Sequence, residues 1–204
     1  MTDQIKVILR WLGSGSVNLF GCPFSGKDTQ GRIIADIFNG VLIAGGDILR
    51  SHRDPKEIEQ ILARGGIIPS KFYLNLLLPY LSRPEFEGRP LILSAVGRSH
   101  GEEPTIMEAA NSSGHPIKAV VLLHLSEEEV WRRFEKAVSQ RDRGNRTDDR
   151  REILKTRLKK YQEKTLPVIE FYRDKGLLIE VDGAPSRKEV TSEILQSLAS
   201  RALA

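Results

Sequence analysis

Seven residues near the start of the chain, GCPFSGK from Gly21 to Lys27, constrain its fold more than any other stretch. Their spacing, GxxxxGK, is that of a loop whose backbone N–H groups surround phosphate oxygens. An apolar run, Ser16–Gly21, precedes the loop, and apolar residues at helical spacing follow it from Lys27 to Phe38. The positive end of that helix would also attract an anion. The loop therefore predicts a strand–loop–helix unit that binds the phosphates of a nucleotide.

Strand and helix patterns alternate along the rest of the chain. Four more short apolar runs predict strands, at residues 41–44, 90–95, 118–125 and 177–181. The second and third are continuous apolar runs, which are typical of strands covered on both faces. Helical patterns cover residues 55–63, 69–81, 126–140, 148–175 and 186–203, with a bend or interruption expected at Pro167. This alternation predicts one α/β domain over residues 1–204, with a five-stranded parallel sheet flanked by helices.

Residues 1–15 form an N-terminal extension ahead of the first predicted strand. Ile5, Val7, Ile8 and Trp11 give it a short amphipathic pattern. We expect a helix that packs on the sheet. Contact with a partner is the alternative.

Composition narrows the partners and the surroundings of the protein. The net charge is only +4, and acids interrupt the densest basic stretch, RDRGNRTDDRR from Arg141, which favours a solvated surface over nucleic-acid binding. The single cysteine, Cys22, excludes an internal disulfide and is typical of a reducing compartment. No apolar stretch approaches the ~20 residues that span a bilayer. We expect a cytoplasmic monomer without a nucleic-acid or membrane partner.

Beyond the loop, ordered motifs resemble the adenylate kinase family of nucleoside monophosphate kinases over about residues 16–198. The loop GCPFSGKDTQ is similar to the family's GxPGxGKGTQ. GGDILR from Gly45 and SAVGRS from Ser94 are similar to the family's TGDMLR and DGFPRT. The remaining matches are GIIPSK from residue 66, RTDD from residue 146 with Arg157 beyond it, and YQEKTLPVIEFYRDKGLLIEVDG from residue 161.

The resemblance implies a P-loop kinase that transfers a phosphoryl group reversibly from Mg-ATP to a nucleoside monophosphate, with AMP as the first expectation. It also implies a helical monophosphate-binding lobe at residues 45–81 and a very short lid at residues 141–147. The resemblance further implies magnesium, bound with ATP, as the cofactor. The lid contains no cysteine, so we expect no structural zinc.

The same resemblance assigns roles to individual residues. The expected catalytic cations are Lys27, Arg98, Arg141, Arg146 and Arg157. ATP would contact Gly21, Ser25, Gly26, Lys27, Asp28, Thr29 and Arg133, with the Arg133 guanidinium stacked on adenine. The monophosphate would contact Gly45, Asp47, Arg50, Ile68, Arg98 and Glu102. Arginine suits these roles because its planar fork meets two phosphate oxygens and stays charged, although a solvated helix face is the alternative for each arginine.

Two departures from the family pattern involve a carboxylate. Asp28 stands where the family has glycine, and Ser94 stands where the family has the aspartate of DGFPR near the magnesium site. Magnesium prefers oxygen ligands and often uses one or two carboxylates. We hypothesise that Asp28 takes over contact with magnesium or its bound water, with Thr29 as a second candidate ligand. The alternative is that Asp28 caps its helix or points to solvent.

A third departure concerns the acceptor base. Glu102 stands where the family reads adenine with glutamine, and Gly45 replaces a threonine that faces the same base. An ionised glutamate only accepts hydrogen bonds, which fits the donor edge of guanine or the amine of cytosine. A shift of register onto Glu103 is an alternative. CMP/UMP- or GMP-directed kinases, and a catalytically weak nucleotide-binding regulatory protein, therefore remain alternatives to an AMP kinase.

Overall fold

The structure, a computed structural model, describes residues 2–50, 70–140 and 150–204. Five strands form one parallel sheet in the order β2-β3-β1-β4-β5. The strands are β1 (Ser16–Gly21), β2 (Val41–Ala44), β3 (Leu91–Ser94), β4 (Ile117–His124) and β5 (Leu178–Asp182). All five lie within two residues of the predicted runs, and the predicted fold class is confirmed.

Helices surround the sheet in the described part of the chain. They are α1 (Asp3–Leu12), α2 (Lys27–Phe38), α3 (Gly45–Arg50), α4 (Ser70–Leu81), α5 (Glu103–Ser112), α6 (Glu127–Gln140), α7 (Arg151–Lys160), α8 (Leu166–Asp174) and α9 (Arg187–Leu203). A short 3₁₀ helix spans Pro84–Phe86, and a π-helical turn spans Tyr161–Thr165. The sequence analysis predicted neither the short helix α3 nor α5, whose apolar pattern is short.

Two apolar clusters lie against the sheet and share its central strands. One cluster includes Phe20 of β1, Leu77 of α4 and Tyr172 of α8. The other includes Leu19 of β1 and Ile34 of α2. Neighbouring residues of β1 thus belong to different clusters, as expected for a strand covered on both faces. This explains why the strands read as continuous apolar runs.

The N-terminal extension forms α1, which packs against α9. Ile8 and Leu12 are fully buried in the second apolar cluster, and Ile5 and Trp11 are partly buried beside them. Buried His115 holds the end of this segment, since its Nδ1 lies 2.7 Å from the carbonyl oxygen of Ser14. The predicted packing of the extension is confirmed.

Because the Ile8 side chain is fully buried, truncating it should leave a cavity between α1 and the sheet. We expect Ile8→Ala to lower the free energy of unfolding by about 2–5 kcal/mol, measured by urea denaturation. The matched control is Lys6→Ala, which removes an exposed side chain from the same helix and should change stability by less than about 0.5 kcal/mol. Equal stability of Ile8→Ala and the parent protein would show that α1 is not integral to the fold.

The interruption predicted at Pro167 lies elsewhere. The predicted helix over residues 148–175 is divided into α7 and α8 by the π-helical turn, which ends two residues before Pro167. Pro167 lies in the first turn of α8 and has no backbone N–H to donate to the turn before it. The structure places the break in the wider turn at Tyr161–Thr165, directly before the turn that contains the proline.

Two predicted features extend beyond the described residues. The predicted monophosphate-binding lobe includes α3 and α4, but residues 51–69, with the predicted helix 55–63, lie outside the description. The predicted lid at residues 141–147 also lies outside it. Both remain predictions. In the three described ranges, no helix is both long enough and apolar enough to cross a membrane.

Candidate active site

The phosphate loop joins β1 to α2, as the spacing predicts. Gly26 is the N-cap of α2 and has a φ of 92°, in the left-handed region that favours glycine. A Cβ atom at Gly21 would lie only 2.4 Å from the Ser25 hydroxyl, so the loop can close only over a glycine at this position. The hydroxyl of Ser25 is itself buried and makes no hydrogen bond to the described residues. This hydroxyl could donate a hydrogen bond to a phosphate oxygen.

Two residues without the freedom of glycine adopt left-handed backbone conformations beside this site. Phe24 in the phosphate loop has a φ of 66°, and Ala95, directly after β3, has a φ of 51°. Such conformations cost on the order of 1–3 kcal/mol each and are common at functional sites. The Phe24 ring packs edge-on against Phe134, with ring centroids 5.7 Å apart. The sequence gives no local signal for this strained aromatic residue.

The loop between β3 and α5 carries Arg98 and is held from two sides. From β1, the buried Asn18 side chain donates to the carbonyl oxygen of Val96 at 2.8 Å. From the π-helical turn, the Thr165 hydroxyl donates to the carbonyl oxygen of Arg98 at 3.1 Å. In addition, the backbone N–H of His100 donates to the carbonyl oxygen of Lys164. These bonds fix the backbone of Arg98 beside the phosphate loop.

Three predicted cations meet in one cleft. Lys27, Arg98 and Arg157 line it, with Lys160, Tyr161 and Thr165 from the end of α7 and the π-helical turn. Burial lowers the pKa of the Lys27 ammonium, Asp28 opposes this effect, and Arg157 and Arg98 add to it. Burial is also the main cause that lowers the pKa of Arg98. Cations gathered in this way repel one another until an anion with several charges binds among them.

The lowered pKa of Lys27 predicts that ATP binding takes up a proton at pH values close to or above that lowered pKa. The phosphates of ATP favour the charged ammonium, so they should raise this pKa when they bind. ATP affinity should therefore fall as the pH rises through the lowered pKa, below the ordinary lysine value of 10.5. Calorimetric titrations in buffers with different ionisation enthalpies measure the proton uptake. The uptake should vanish in Lys27→Met, and equal uptake by that variant would assign the proton to another group.

The carboxylate of Asp28 faces the end of β3. The buried Ser94 hydroxyl donates to Asp28 Oδ1 at 2.5 Å, although the two residues are 66 positions apart. Asp28 is not the N-cap of α2, because that position belongs to Gly26, and no side chain caps the helix there. The two departures from the family pattern thus lie in direct contact.

Glu102 and Glu103 are both buried but face different neighbours. Glu102, 3% exposed, accepts a hydrogen bond from the Ser99 N–H at Oε2, and its charge acts on Arg98 and Tyr73. Glu103 instead accepts from the Gly101 N–H at 2.6 Å and lies 2.9 Å from His100 Nδ1. Glu102 is therefore the carboxylate on the side of the cationic cleft, which argues against the alternative register.

Sequence reasoning did not single out Tyr73 of α4, which lies beside Glu102 and Gly45. Its hydroxyl is buried, and no described residue forms a hydrogen bond with it in good geometry. Burial raises its pKa, as does the nearby charge of Glu102. A Cβ atom at Gly45 would lie 3.5 Å from this hydroxyl and 3.1 Å from the Ala95 carbonyl oxygen. An aromatic residue in an apolar helix reads as core in the sequence, so no pattern could have identified it.

Arg133 of α6 connects the phosphate loop with the loop that follows β5. Its guanidinium donates to the carbonyl oxygens of Phe24 at 3.2 Å and Gly183 at 2.7 Å, and Nε donates to Glu129 at 2.8 Å. Because a guanidinium donates its hydrogen bonds around the edge of its plane, these contacts are compatible with stacking through its face. The predicted contact with adenine remains a prediction.

Comparison with known proteins decides the family. The family model described as adenylate kinase matches residues 19–177, most of the chain. The chain belongs to the adenylate kinase family. An adenylate kinase of Parvibaculum lavamentivorans is 31% identical over 181 residues, which cover 86% of this chain and 88% of the relative. One from Thermobifida fusca is 30% identical, covering 91% and 99%, and one from Dehalococcoides mccartyi is 29% identical, covering 90% and 97%.

Membership of the adenylate kinase family makes this chain an ATP-dependent nucleoside monophosphate kinase and favours an enzyme over the regulatory alternative. Adenylate kinases use magnesium with ATP, and the oxygen donors beside the phosphate loop suit this hard cation. Such oxygen donors in the described part of the chain include the Asp28 carboxylate, the Ser94 hydroxyl and half-buried Thr29. Among the described residues, no group of three or more His, Cys, Asp or Glu side chains is arranged to hold a metal.

Other predicted site residues of this adenylate kinase family member lie outside the description. Ile68, Arg141 and Arg146 belong to undescribed ranges. Asp47 and Arg50 lie on α3, but their side chains are not described. Their roles remain predictions.

Proposed function

We propose that this kinase transfers the γ-phosphoryl group of Mg-ATP to AMP and forms two molecules of ADP. The observation that carries the proposal is the meeting of Lys27, Arg98 and Arg157 in one cleft beside the phosphate loop. Support for AMP as the acceptor comes from the relatives named above, which are adenylate kinases.

The three cations act by position and charge. Phosphoryl transfer passes through a loose transition state in which negative charge spreads over the transferring oxygens, so catalysis requires positioning and neutralisation more than a nucleophile. In our proposal, the loop N–H groups and Lys27 hold the outer phosphates of ATP. Arg98 holds the phosphate of AMP, and Arg157 reaches the transferring group.

Further residues complete the proposed site. Arg133 stacks on the adenine of ATP, and Arg50 supports the phosphate of AMP. Arg141 and Arg146 approach when the lid closes, and this closure excludes water that would otherwise hydrolyse the phosphoryl group. Gly45, Asp47, Ile68 and Glu102 surround the acceptor nucleoside.

A second candidate acceptor is favoured by Glu102. This buried carboxylate lies on the side of Arg98 and Tyr73, and a carboxylate accepts hydrogen bonds without donating them. Guanine offers it two donors, N1–H and the exocyclic amine, and cytosine offers an amine. GMP- or CMP-directed transfer by the same machinery is therefore the alternative.

We also propose that the kinase works as a cytoplasmic monomer without nucleic-acid partners. The single cysteine is buried, as suits a reducing compartment. The large apolar side chains that are exposed in the described residues, such as Leu78 of α4 and Val138 of α6, lie on different elements and do not indicate one shared apolar interface. Light scattering of the purified protein would measure the oligomeric state.

A comparison of four nucleoside monophosphates as acceptors tests the proposal. Initial rates of ADP formation should be measured with Mg-ATP and each of AMP, GMP, CMP and UMP, and compared as kcat/KM. We expect AMP to give the highest value. A higher value for GMP or CMP would overturn AMP as the acceptor and support the alternative. No turnover with any of the four would overturn the proposed function.

A further inference from the structure

The contact between Asp28 and Ser94 depends on the order of the strands. β1 and β3 are adjacent in the sheet, with Leu19 paired to Ser94, so the end of β3 lies beside the phosphate loop that follows β1. Asp28 lies in the first turn of α2, directly after the phosphate loop. A carboxylate at position 28 and one at position 94 would therefore occupy neighbouring space beside the same loop.

The hydrogen bond fixes the direction of the carboxylate. Ser94 is 3% exposed, so its hydroxyl is a buried donor at a fixed place in the sheet. It holds Oδ1 of Asp28 at 2.5 Å, while the residue Asp28 as a whole is exposed. The hydrogen bond thus anchors Oδ1 at the end of β3, and the chain neighbours of the two residues, Lys27 and Ala95, line the cleft.

A carboxylate at this place opposes phosphate binding by itself. Its negative charge reduces the attraction that Lys27 and Arg98 exert on a polyphosphate. The opposition disappears if a divalent cation stands between carboxylate and phosphate, because both anions then contact the cation. Oxygen ligands and retained water are the preferred surroundings of magnesium.

We propose that Asp28, oriented by the Ser94 hydroxyl, contacts the hydrated magnesium ion of bound ATP and makes the site selective for Mg-ATP over ATP without magnesium. Ser94 is a positioning residue, since it acts through Asp28. The rival explanation is that Asp28 only balances the charge of Lys27 and Arg98. The inference rests on the binding of ATP in the proposed function, but it does not depend on which monophosphate is the acceptor.

The two explanations predict different binding of ATP. Calorimetry with ATP and excess magnesium, and with ATP and EDTA, gives two dissociation constants whose ratio measures the selectivity. We expect Asp28→Asn to lower this ratio roughly tenfold, because it removes a contact to a charged partner and relieves the repulsion of metal-free ATP. If Asp28 only balances charge, both forms of ATP should bind more tightly, and the more highly charged metal-free form should gain more. Weaker binding of Mg-ATP by Asp28→Asn is therefore the result that only the magnesium contact predicts. An affinity for Mg-ATP that stays unchanged or rises in this variant overturns the proposal.

Moving the carboxylate provides a sharper test. The double variant Asp28→Asn/Ser94→Asp returns a carboxylate to the neighbouring position and should recover most of the lost selectivity for Mg-ATP. Ser94→Ala, which removes only the orienting hydroxyl, should lower the ratio by less than Asp28→Asn does. The matched control is Asp36→Asn, which makes the same change at an exposed position of α2 and should leave the ratio unchanged. Failure of the double variant to recover any selectivity contradicts the proposal.

The failure of this proposal is distinguishable from the failure of the proposed function. A parent protein that binds neither form of ATP overturns both. A parent protein that binds Mg-ATP, together with an Asp28→Asn variant that binds it equally well or more tightly, overturns only the proposal for magnesium. Melting temperatures of all variants show whether they remain folded.

Discussion

Replacing Lys27 with methionine should lower kcat/KM for phosphoryl transfer about a thousandfold, the upper range for the loss of one preorganised charged donor. Lys27 lies in the cleft shared with Arg98 and Arg157, directly after the glycine that caps α2. Its ammonium acts on charge that grows at the outer phosphate during transfer, so most of the loss should fall on kcat. Steady-state rates with Mg-ATP and the preferred acceptor measure the effect.

Stability separates this loss from unfolding. Burial lowers the pKa of Lys27, which means that the protein around position 27 disfavours the charged form. Removing the charge should therefore leave the melting temperature equal or raise it. Lys155→Met, on the exposed face of α7, is the matched control and should keep its activity within about twofold. A Lys27→Met enzyme with more than about a tenth of the parent activity would contradict the proposed role.

Replacing Glu102 with glutamine should shift acceptor preference toward AMP. We expect the ratio of kcat/KM for AMP to that for GMP to rise by about 10- to 100-fold, since a carboxylate suits the donor edge of guanine and an amide suits adenine. Glutamine keeps an oxygen that can accept from the Ser99 N–H, so the turn before α5 should persist.

Glu103 offers a closely matched control. It is also buried and differs from Glu102 by one position, but its carboxylate accepts from Gly101 and lies beside His100. Glu103→Gln should leave the acceptor ratio unchanged even if it lowers stability. An unchanged ratio in Glu102→Gln would mean that this carboxylate serves only to brace the turn before α5.

Much of the fold was predictable because buried strands have a recognisable pattern of apolar residues in the sequence. Strands covered on both faces read as continuous apolar runs, and β1 and β2 begin and end at the predicted residues. The break between α7 and α8 was misplaced, because proline is a visible signal whereas the π-helical turn at Tyr161–Thr165 has no sequence signature. The helix α5 was missed because its few apolar residues gave no clear period.

The site was predictable where a motif fixes backbone and charge together, as for Lys27 in the phosphate loop. It was not predictable where distant residues meet. The sequence shows that Asp28 and Ser94 both depart from the family, but only the sheet order brings them within 2.5 Å. Tyr73 and the strained Phe24 depend on tertiary packing in the same way.

Direct transfer of the γ-phosphoryl group is the central claim, and a labelled donor tests it most directly. The protein is mixed with Mg-ATP labelled at the γ-phosphate and with unlabelled AMP, and the products are separated by chromatography. We predict that the label appears in newly formed ADP, and that EDTA or the Lys27→Met substitution suppresses this transfer. The experiment is repeated with GMP, CMP and UMP as acceptors. The account is contradicted if, with every acceptor, the label stays in ATP or appears only as inorganic phosphate.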